Sequence, residues 1–305
     1  MRILIADEKP FAPIAVKQIK DELVTEKHEL ILLENYKDVS AFKAAVSNVD
    51  ALIVRSDLVT SEILDAAQKL KIVVRAGAGY ENIDLSACTE HEVVAMNTPG
   101  QNSNAVAELA FLMMLFQARG GFRGTCGTEL RGKTIGLHAY GNVGKFMGEI
   151  AKGFGMVIYA YDPFVNADKI KASGIEPCTN AEDLYKNCQY VSLHIPANEK
   201  TRKSIGYELL MKMPQDAVLV NTARKEVIDE KGLINVFEDR SDIKYLSDVE
   251  PECKTIFEEK FKGRFIFTPK KMGAQTEEAN INAGVAAARQ IINYFKTGSD
   301  EFRVN

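Results

Sequence analysis

Three groups of residues combine type and spacing in ways that could do chemistry. The first is Ala139-Tyr140-Gly141-Asn142-Val143-Gly144, which follows the apolar run 134–138 and opens a helical pattern. Glycine at its second and third positions lets backbone approach a pyrophosphate and lets a helix pack closely on a strand. The N–H groups at the start of that helix would favour the negative charge. The first position holds Ala139, so the fingerprint is A-x-G-x-x-G and not the full three-glycine form. The second group is Asp162 alone, at the end of the next apolar run and eighteen residues beyond Gly144. A carboxylate there accepts hydrogen bonds from an adenosine ribose and repels a 2′-phosphate, which selects NAD over NADP. A turn aspartate before Pro163 is the plainer alternative, and the agreement of spacing with context favours the nucleotide. The third group is His194, Arg224, Asp248, Lys270 and Lys271, each just after a short apolar run. One such residue is an ordinary solvated side chain; several at one edge of a parallel sheet mark the crevice where open α/β sheets bind ligands.

Those positions make sense only if the runs are strands of a parallel sheet. Runs 2–7, 30–33, 51–55, 72–75 and 93–97 read as strands separated by helical periodicity, as at 11–23 and 61–70. A second set covers 134–138, 157–161, 190–194, 217–221, 243–248 and 265–268. Such alternation predicts βαβ units, and two sets predict two doubly wound, parallel-sheet, Rossmann-like α/β domains. The join lies at 97–119, where turn chemistry at 98–103 precedes the nearly all-apolar helix 106–116. Ile281, Val285, Ala288, Ile292 and Phe295 form one helical stripe with no strand after it. That last helix is expected to pack on the first domain, giving 1–97 plus 278–305 for one domain and 98–277 for the other.

Composition limits the function classes. The chain has 305 residues, enough for two domains with cores of their own, and a net charge of −4. A general nucleic-acid binder needs a phosphate-neutralising basic surface, which this balance does not provide. The five cysteines are scattered without a C-x-x-C pair, so neither a zinc ribbon nor a redox motif is indicated, and no metal site is expected. The start turns polar too soon for a signal peptide, and no apolar run nears the roughly 20 residues of a membrane span. A soluble, cytoplasmic protein is the expectation.

Several motifs in order make the resemblance specific. They are Ala51-Leu52-Ile53-Val54-Arg55-Ser56, Val74-Arg75-Ala76-Gly77-Ala78-Gly79-Tyr80-Glu81-Asn82-Ile83-Asp84, Met96-Asn97-Thr98-Pro99-Gly100-Gln101-Asn102-Ser103, Leu193-His194-Ile195-Pro196 and Asn221-Thr222-Ala223-Arg224. With them the chain resembles the D-isomer-specific 2-hydroxyacid dehydrogenases, most closely their short phosphoglycerate-oxidising branch without a regulatory domain. The resemblance implies NAD as cofactor, 3-phosphoglycerate as the small-molecule substrate of an oxidation that opens serine synthesis, and a homodimer. It implies that Arg224 holds the substrate carboxylate and polarises the carbonyl, and that Asp248 binds the nicotinamide carboxamide. Ala78, Gly141, Asn142, Val143, Gly144, Asp162, His194, Ile195, Pro196 and Thr222 fall on the cofactor site. Arg55, Arg75, Gly77 and Asn102 fall on the substrate site. A guanidinium suits phosphate or carboxylate because its fork bonds them bidentately, and Gly77-Ala78-Gly79 could present an anion-binding nest.

The chain also departs from the pattern. The family's acid/base histidine in T-P-H-x-G is absent, and Thr268-Pro269-Lys270-Lys271-Met272-Gly273 stands there instead. Counting back from Gly273 selects Lys271, counting forward from Pro269 selects Lys270, and Lys271 is preferred. An ordinary lysine titrates about four units above histidine. It is therefore ready to donate a proton during ketone reduction and must first lose one to assist alcohol oxidation. The partner glutamate is less defined: Glu250, in the shortened Asp248-Val249-Glu250-Pro251, is the first choice, Glu252 the second, and none at all the third. The stretch 120–127, where relatives build their dimer, is also short. Two other readings stay open: a glyoxylate or hydroxypyruvate reductase, and a non-enzymatic NAD(H)-sensing interaction protein.

Overall fold

The computed structural model describes all 305 residues. The chain divides into two compact units, residues 1–102 with 275–305 and residues 103–274. The boundaries of these units fall after Asn102 and before Gln275. Thr98 is buried and its N–H donates to the Gly77 carbonyl at 2.9 Å, which ties the turn to the first unit. Thr276 caps the last helix by accepting from Ala279 N.

The first unit holds a five-stranded parallel sheet of β1 (Arg2–Asp7), β2 (Glu29–Glu34), β3 (Ala51–Val54), β4 (Ile72–Arg75) and β5 (Val94–Asn97), in the order β2-β1-β3-β4-β5. Side chains alternate across a strand, so each run feeds two cores. Ile3, Ile5, Ile53, Ile72 and Val74 pack on one face with the last helix, and Leu4, Leu52, Val54 and Val73 pack on the other. Helix Glu277–Thr297 buries Ala279, Ala283, Ala287, Ala288 and Ile291. Of the predicted stripe, Val285 and Ala288 are buried and Ile281, Ile292 and Phe295 pack partly buried against the same core, which the alanines beside them widen. Small residues let this helix approach closely: a Cβ on Gly284 would sit 2.8 Å from Ile19 Cδ1 of helix Pro13–Thr25.

The second unit carries seven parallel strands: β6 (Thr134–His138), β7 (Val157–Tyr161), β8 (Glu176–Pro177), β9 (Tyr190–Leu193), β10 (Val218–Asn221), β11 (Lys244–Ser247) and β12 (Phe265–Phe267). Their order is β12-β11-β10-β9-β6-β7-β8, with the chain reversing direction of travel beside β6. Both units are thus α/β with doubly wound parallel sheets. Strand β8 has no counterpart in the sequence reading, because two residues, one of them proline, carry no periodicity. All strands of a sheet run the same way, so the residues after β6, β9, β10, β11 and β12 emerge along one edge. No helix is long and apolar enough to cross a membrane.

Candidate active site

In the second unit, β6 ends at the buried His138 and the chain turns through Ala139, whose φ is +82°. That left-handed conformation is where glycine stands at the first fingerprint position, and a Cβ there is strained. Gly141 caps the helix Asn142–Gly153, and a Cβ on it would meet nothing within 4 Å. A Cβ on Gly144 would lie 2.4 Å from the Ala139 carbonyl oxygen. The two glycines therefore do different work: Gly144 closes the turn, and Gly141 leaves open space where a ligand's phosphates can approach. Asn142 is exposed at the helix start, and Val143 packs partly against the core. Asp162, after β7, accepts from Tyr140 N and Phe164 N, both at 2.8 Å, which fixes its carboxylate beside the glycine turn.

The next three strands leave polar atoms buried and without hydrogen-bond partners: Ser192 Oγ in β9, His194 Nε2 just beyond it, Thr222 Oγ1 after β10 and Asp248 Oδ1 after β11. Native interiors rarely tolerate such atoms, so a cluster of them at one sheet edge calls for a ligand. Burial pushes His194 down to about 3, with His138 adding to the effect, so its ring is neutral at physiological pH. Burial likewise lowers His138 to about 4, against the pull of Asp162. Ile195 is buried and Pro196 exposed at the same edge. The fully buried Asp248 accepts from Gly273 N at 2.8 Å. Burial raises its pKa, while the Gly273 N–H, Lys271 and Arg224 pull the other way. A dinucleotide fits this edge on two grounds of the structure itself, the open cradle at Gly141 and the unpartnered atoms beyond it.

The loop after β10 is stapled by Asn221. Its amide nitrogen donates to the Arg224 carbonyl at 3.0 Å and its amide oxygen accepts from Ala223 N at 3.0 Å. The loop then presents the Ala223 carbonyl to two cations, Arg224 NH1 and Lys271 Nζ, each at 3.0 Å. The fold thus brings Lys271 together with Arg224, while Lys270 engages through its backbone carbonyl, which accepts from Thr268 Oγ1. Glu250 pairs with Lys254 at 3.3 Å and Glu252 with Lys225 at 3.0 Å. The hydrogen bond between the latter two raises Lys225 and lowers Glu252.

In the first unit, Arg55 follows β3 and Arg75 ends β4. Arg75 Nε donates to the Arg55 carbonyl at 2.9 Å. Its guanidinium crosses Gly77, where a Cβ would lie 1.6 Å from NH1 and φ is +152°, so only glycine fits beneath it. Arg55 donates to Asn280 Oδ1 at 3.1 Å, stands 3.5 Å from Asp7 Oδ2 and lies over the Phe11 ring. The Ala78 carbonyl accepts from Asn97 Nδ2 at 2.6 Å, and Asn102 is half-buried where the unit ends. Sequence reasoning passed over Asn221, Asp7, Asp57 and Asn280. The available signal was position: Asp7 ends β1 and Asp57 follows β3, at the edge that carries the arginines.

Known proteins agree with this architecture. Residues 112–269 match the family described as D-isomer specific 2-hydroxyacid dehydrogenase, NAD binding domain. The chain belongs to that family. D-3-phosphoglycerate dehydrogenase of Methanocaldococcus jannaschii is 33% identical over 95% of this chain, which spans 57% of that relative's length. The hydroxypyruvate reductase of Thermotoga maritima is also 33% identical, over 88% of this chain and 92% of its own. Among solved structures, the NAD+-bound 3-phosphoglycerate dehydrogenase of Entamoeba histolytica is 48% identical, with a TM-score of 0.86, over 100% of this chain and 98% of its own.

Proposed function

We propose that the protein is an NAD-dependent dehydrogenase that oxidises 3-phosphoglycerate to 3-phosphohydroxypyruvate. The observation that carries this reading is the convergence of Arg224 and Lys271 on the Ala223 carbonyl. It sets an anion-binding fork and a proton-carrying amine side by side on a nucleotide-binding sheet edge. NAD held by Gly141, Asn142, Val143, Gly144, Asp162, Ile195, Pro196, Thr222 and Asp248 would supply the hydride acceptor. Arg224 bonds the substrate carboxylate and draws electron density from the oxygen at C2. Lys271 in its amine form takes the hydroxyl proton as the C2–H bond gives up its electron pair, and in its ammonium form returns that proton in the reverse direction. Arg55 and Arg75 bind the phosphate, and their pairing at the ends of two adjacent strands is what favours a phosphorylated substrate over a plain hydroxy acid.

The assay is NADH formation with 3-phosphoglycerate from pH 7 to 10. The expected rate climbs toward alkaline pH, because only the amine form of a lysine accepts a proton. A panel of 3-phosphoglycerate, D-glycerate, glyoxylate and hydroxypyruvate fixes the substrate. Equal activity with phosphorylated and unphosphorylated acids would favour the reductase reading, which the Thermotoga maritima relative supports by matching over nearly its whole length. Silence across the whole pH range would leave a nucleotide-sensing protein.

A further inference from the structure

Beneath Arg55 lies a pair of carboxyl groups that the reaction does not use. Asp7, the last residue of β1, is fully buried, and Asp57, two residues beyond Arg55, is nearly so. Asp7 Oδ1 accepts from Lys9 N at 3.0 Å. Asp57 Oδ1 accepts from Glu8 N at 2.8 Å and from the Tyr36 hydroxyl at 2.5 Å. The other oxygen of each, Asp7 Oδ2 and Asp57 Oδ2, is buried and accepts no hydrogen bond, with Arg55 NH1 3.5 Å from Asp7 Oδ2. Asp57 acts on Asp7 both through its charge and through side-chain contact, and both effects push the Asp7 carboxyl up. Two carboxylates in such contact cannot both ionise cheaply, and one shared proton satisfies both orphaned oxygens at once.

We propose that Asp7 and Asp57 share a single proton and serve as the positioning pair for Arg55, anchoring its guanidinium with one negative charge and loosening its hold on the substrate phosphate when that proton leaves. The proposal rests on Arg55 being a phosphate ligand. With the proton in place the pair and Arg55 sum to zero, and a phosphate approaching Arg55 meets no excess of negative charge. Without it a second carboxylate faces the guanidinium and repels the incoming anion.

The surrounding groups agree. Burial raises Asp7 to about 6; Arg55 opposes the shift and Asp57 adds to it. Burial and contact with Asp57 also drive Tyr36 far above its ordinary range, with Glu8 and Asp7 contributing, so its hydroxyl remains a donor. From the last helix the neutral Asn280 amide faces Arg55, not a charge.

The test compares wild type, Asp7→Asn, Asp57→Asn and Arg55→Ala in the reducing direction, with 3-phosphohydroxypyruvate and NADH from pH 5.5 to 8.5. Each asparagine keeps the side-chain oxygen that accepts from a backbone N–H and replaces the shared proton by a permanent N–H, so each locks the pair at one charge. The substrate phosphate itself titrates at about pH 6, but equally for every variant, so KM ratios cancel it. The wild-type to Asp7→Asn ratio is expected near one at pH 5.5 and about three- to tenfold at pH 8, with kcat changed less than threefold; one extra charge in a partly screened site has that size of effect. Asp57→Asn should trace the same curve. Parallel KM profiles for wild type and both asparagine variants overturn the proposal. So does a KM raised by Asp7→Asn at pH 5.5, which would make Asp7 an ordinary ion-pair partner.

Arg55→Ala reports on the underlying reading. If it leaves KM unchanged, Arg55 is no phosphate ligand, and the proposal falls with that assignment. Thermal unfolding then still judges the shared proton: Asp7→Asn should remove a fall in wild-type Tm between pH 4 and 6. If Arg55→Ala raises KM while the asparagine variants follow wild type, only the positioning pair is lost.

Discussion

The ligand-facing edges of the two units solve opposite problems. In the first unit the charged groups are already bonded within the protein: Arg55 to Asn280 and beside Asp7, Arg75 to the Arg55 carbonyl across Gly77. In the second unit the edge leaves Ser192, His194, Thr222 and Asp248 with buried polar atoms that nothing in the chain satisfies. A pre-bonded guanidinium loses little freedom when an anion arrives, so the first edge holds its two arginines preorganised for the anion-binding role proposed for them. Unsatisfied atoms cost stability until a ligand completes them, so the second edge is one that a cofactor finishes. An anion grip can be built from two arginines and their anchors. A dinucleotide contacts many strand ends, and the fold carries the cost of leaving them open.

The sharpest way to break this contrast is at the lysine, which belongs to the open edge and is yet assigned chemistry. Lys271→Ala should lower kcat by roughly two to four orders of magnitude, the usual worth of general acid–base catalysis, while Lys270→Ala stays within about tenfold. Steady-state rates in both directions check it, and the reverse ranking would move the proton to Lys270. A smaller effect separates the two glycines. Gly144→Ala drives a Cβ to 2.4 Å from a backbone oxygen. It should cost about 2 kcal/mol and roughly 4–8 °C in Tm even without cofactor. Gly141→Ala enters open space and should leave Tm within about 1 °C while weakening NAD roughly tenfold, since an added methyl blocks backbone approach to the pyrophosphate. Calorimetric scans with and without NAD distinguish them, and equal Tm losses would mean that Gly141 is structural too. The smallest effect concerns Ala139. Replacing it by glycine relieves the φ of +82° and should stabilise the protein by about 0.5–1 kcal/mol, net of the entropy a glycine adds to the unfolded chain. Denaturant titration with an unchanged m-value is the measurement, and a lower midpoint would show that Ala139 is not strained.

Much of this was legible in residue order. Alternating β-branched runs and helical stripes specify two parallel sheets, because a strand covered on both faces is apolar throughout and a crossover helix has one wet face. The fingerprint, Asp162 and the residues closing each later strand could be named for the same reason: in a parallel sheet, chain order alone places them on one edge. Strand β8 escaped because two residues have no period. The last helix packs through its stripe on the first unit, and the neighbouring alanines and Gly284, which weigh little in a hydropathy stripe, allow the closest helix contact.

What order along the chain determined was the class of fold, the edge that carries the site and the absence of the expected histidine, since each depends on local pattern and direction. What only tertiary structure decided was which side chains meet. Lys271 reaches the carbonyl beside Arg224 across 48 residues of sequence, and Glu250 and Glu252 turn to Lys254 and Lys225. Asp7 meets Asp57 and Arg55 because two separate segments, the end of β1 and the loop after β3, come to the same sheet edge. Proximity of that kind is set by strand order, loop path and packing, and those are properties of the folded core that no short window of sequence contains.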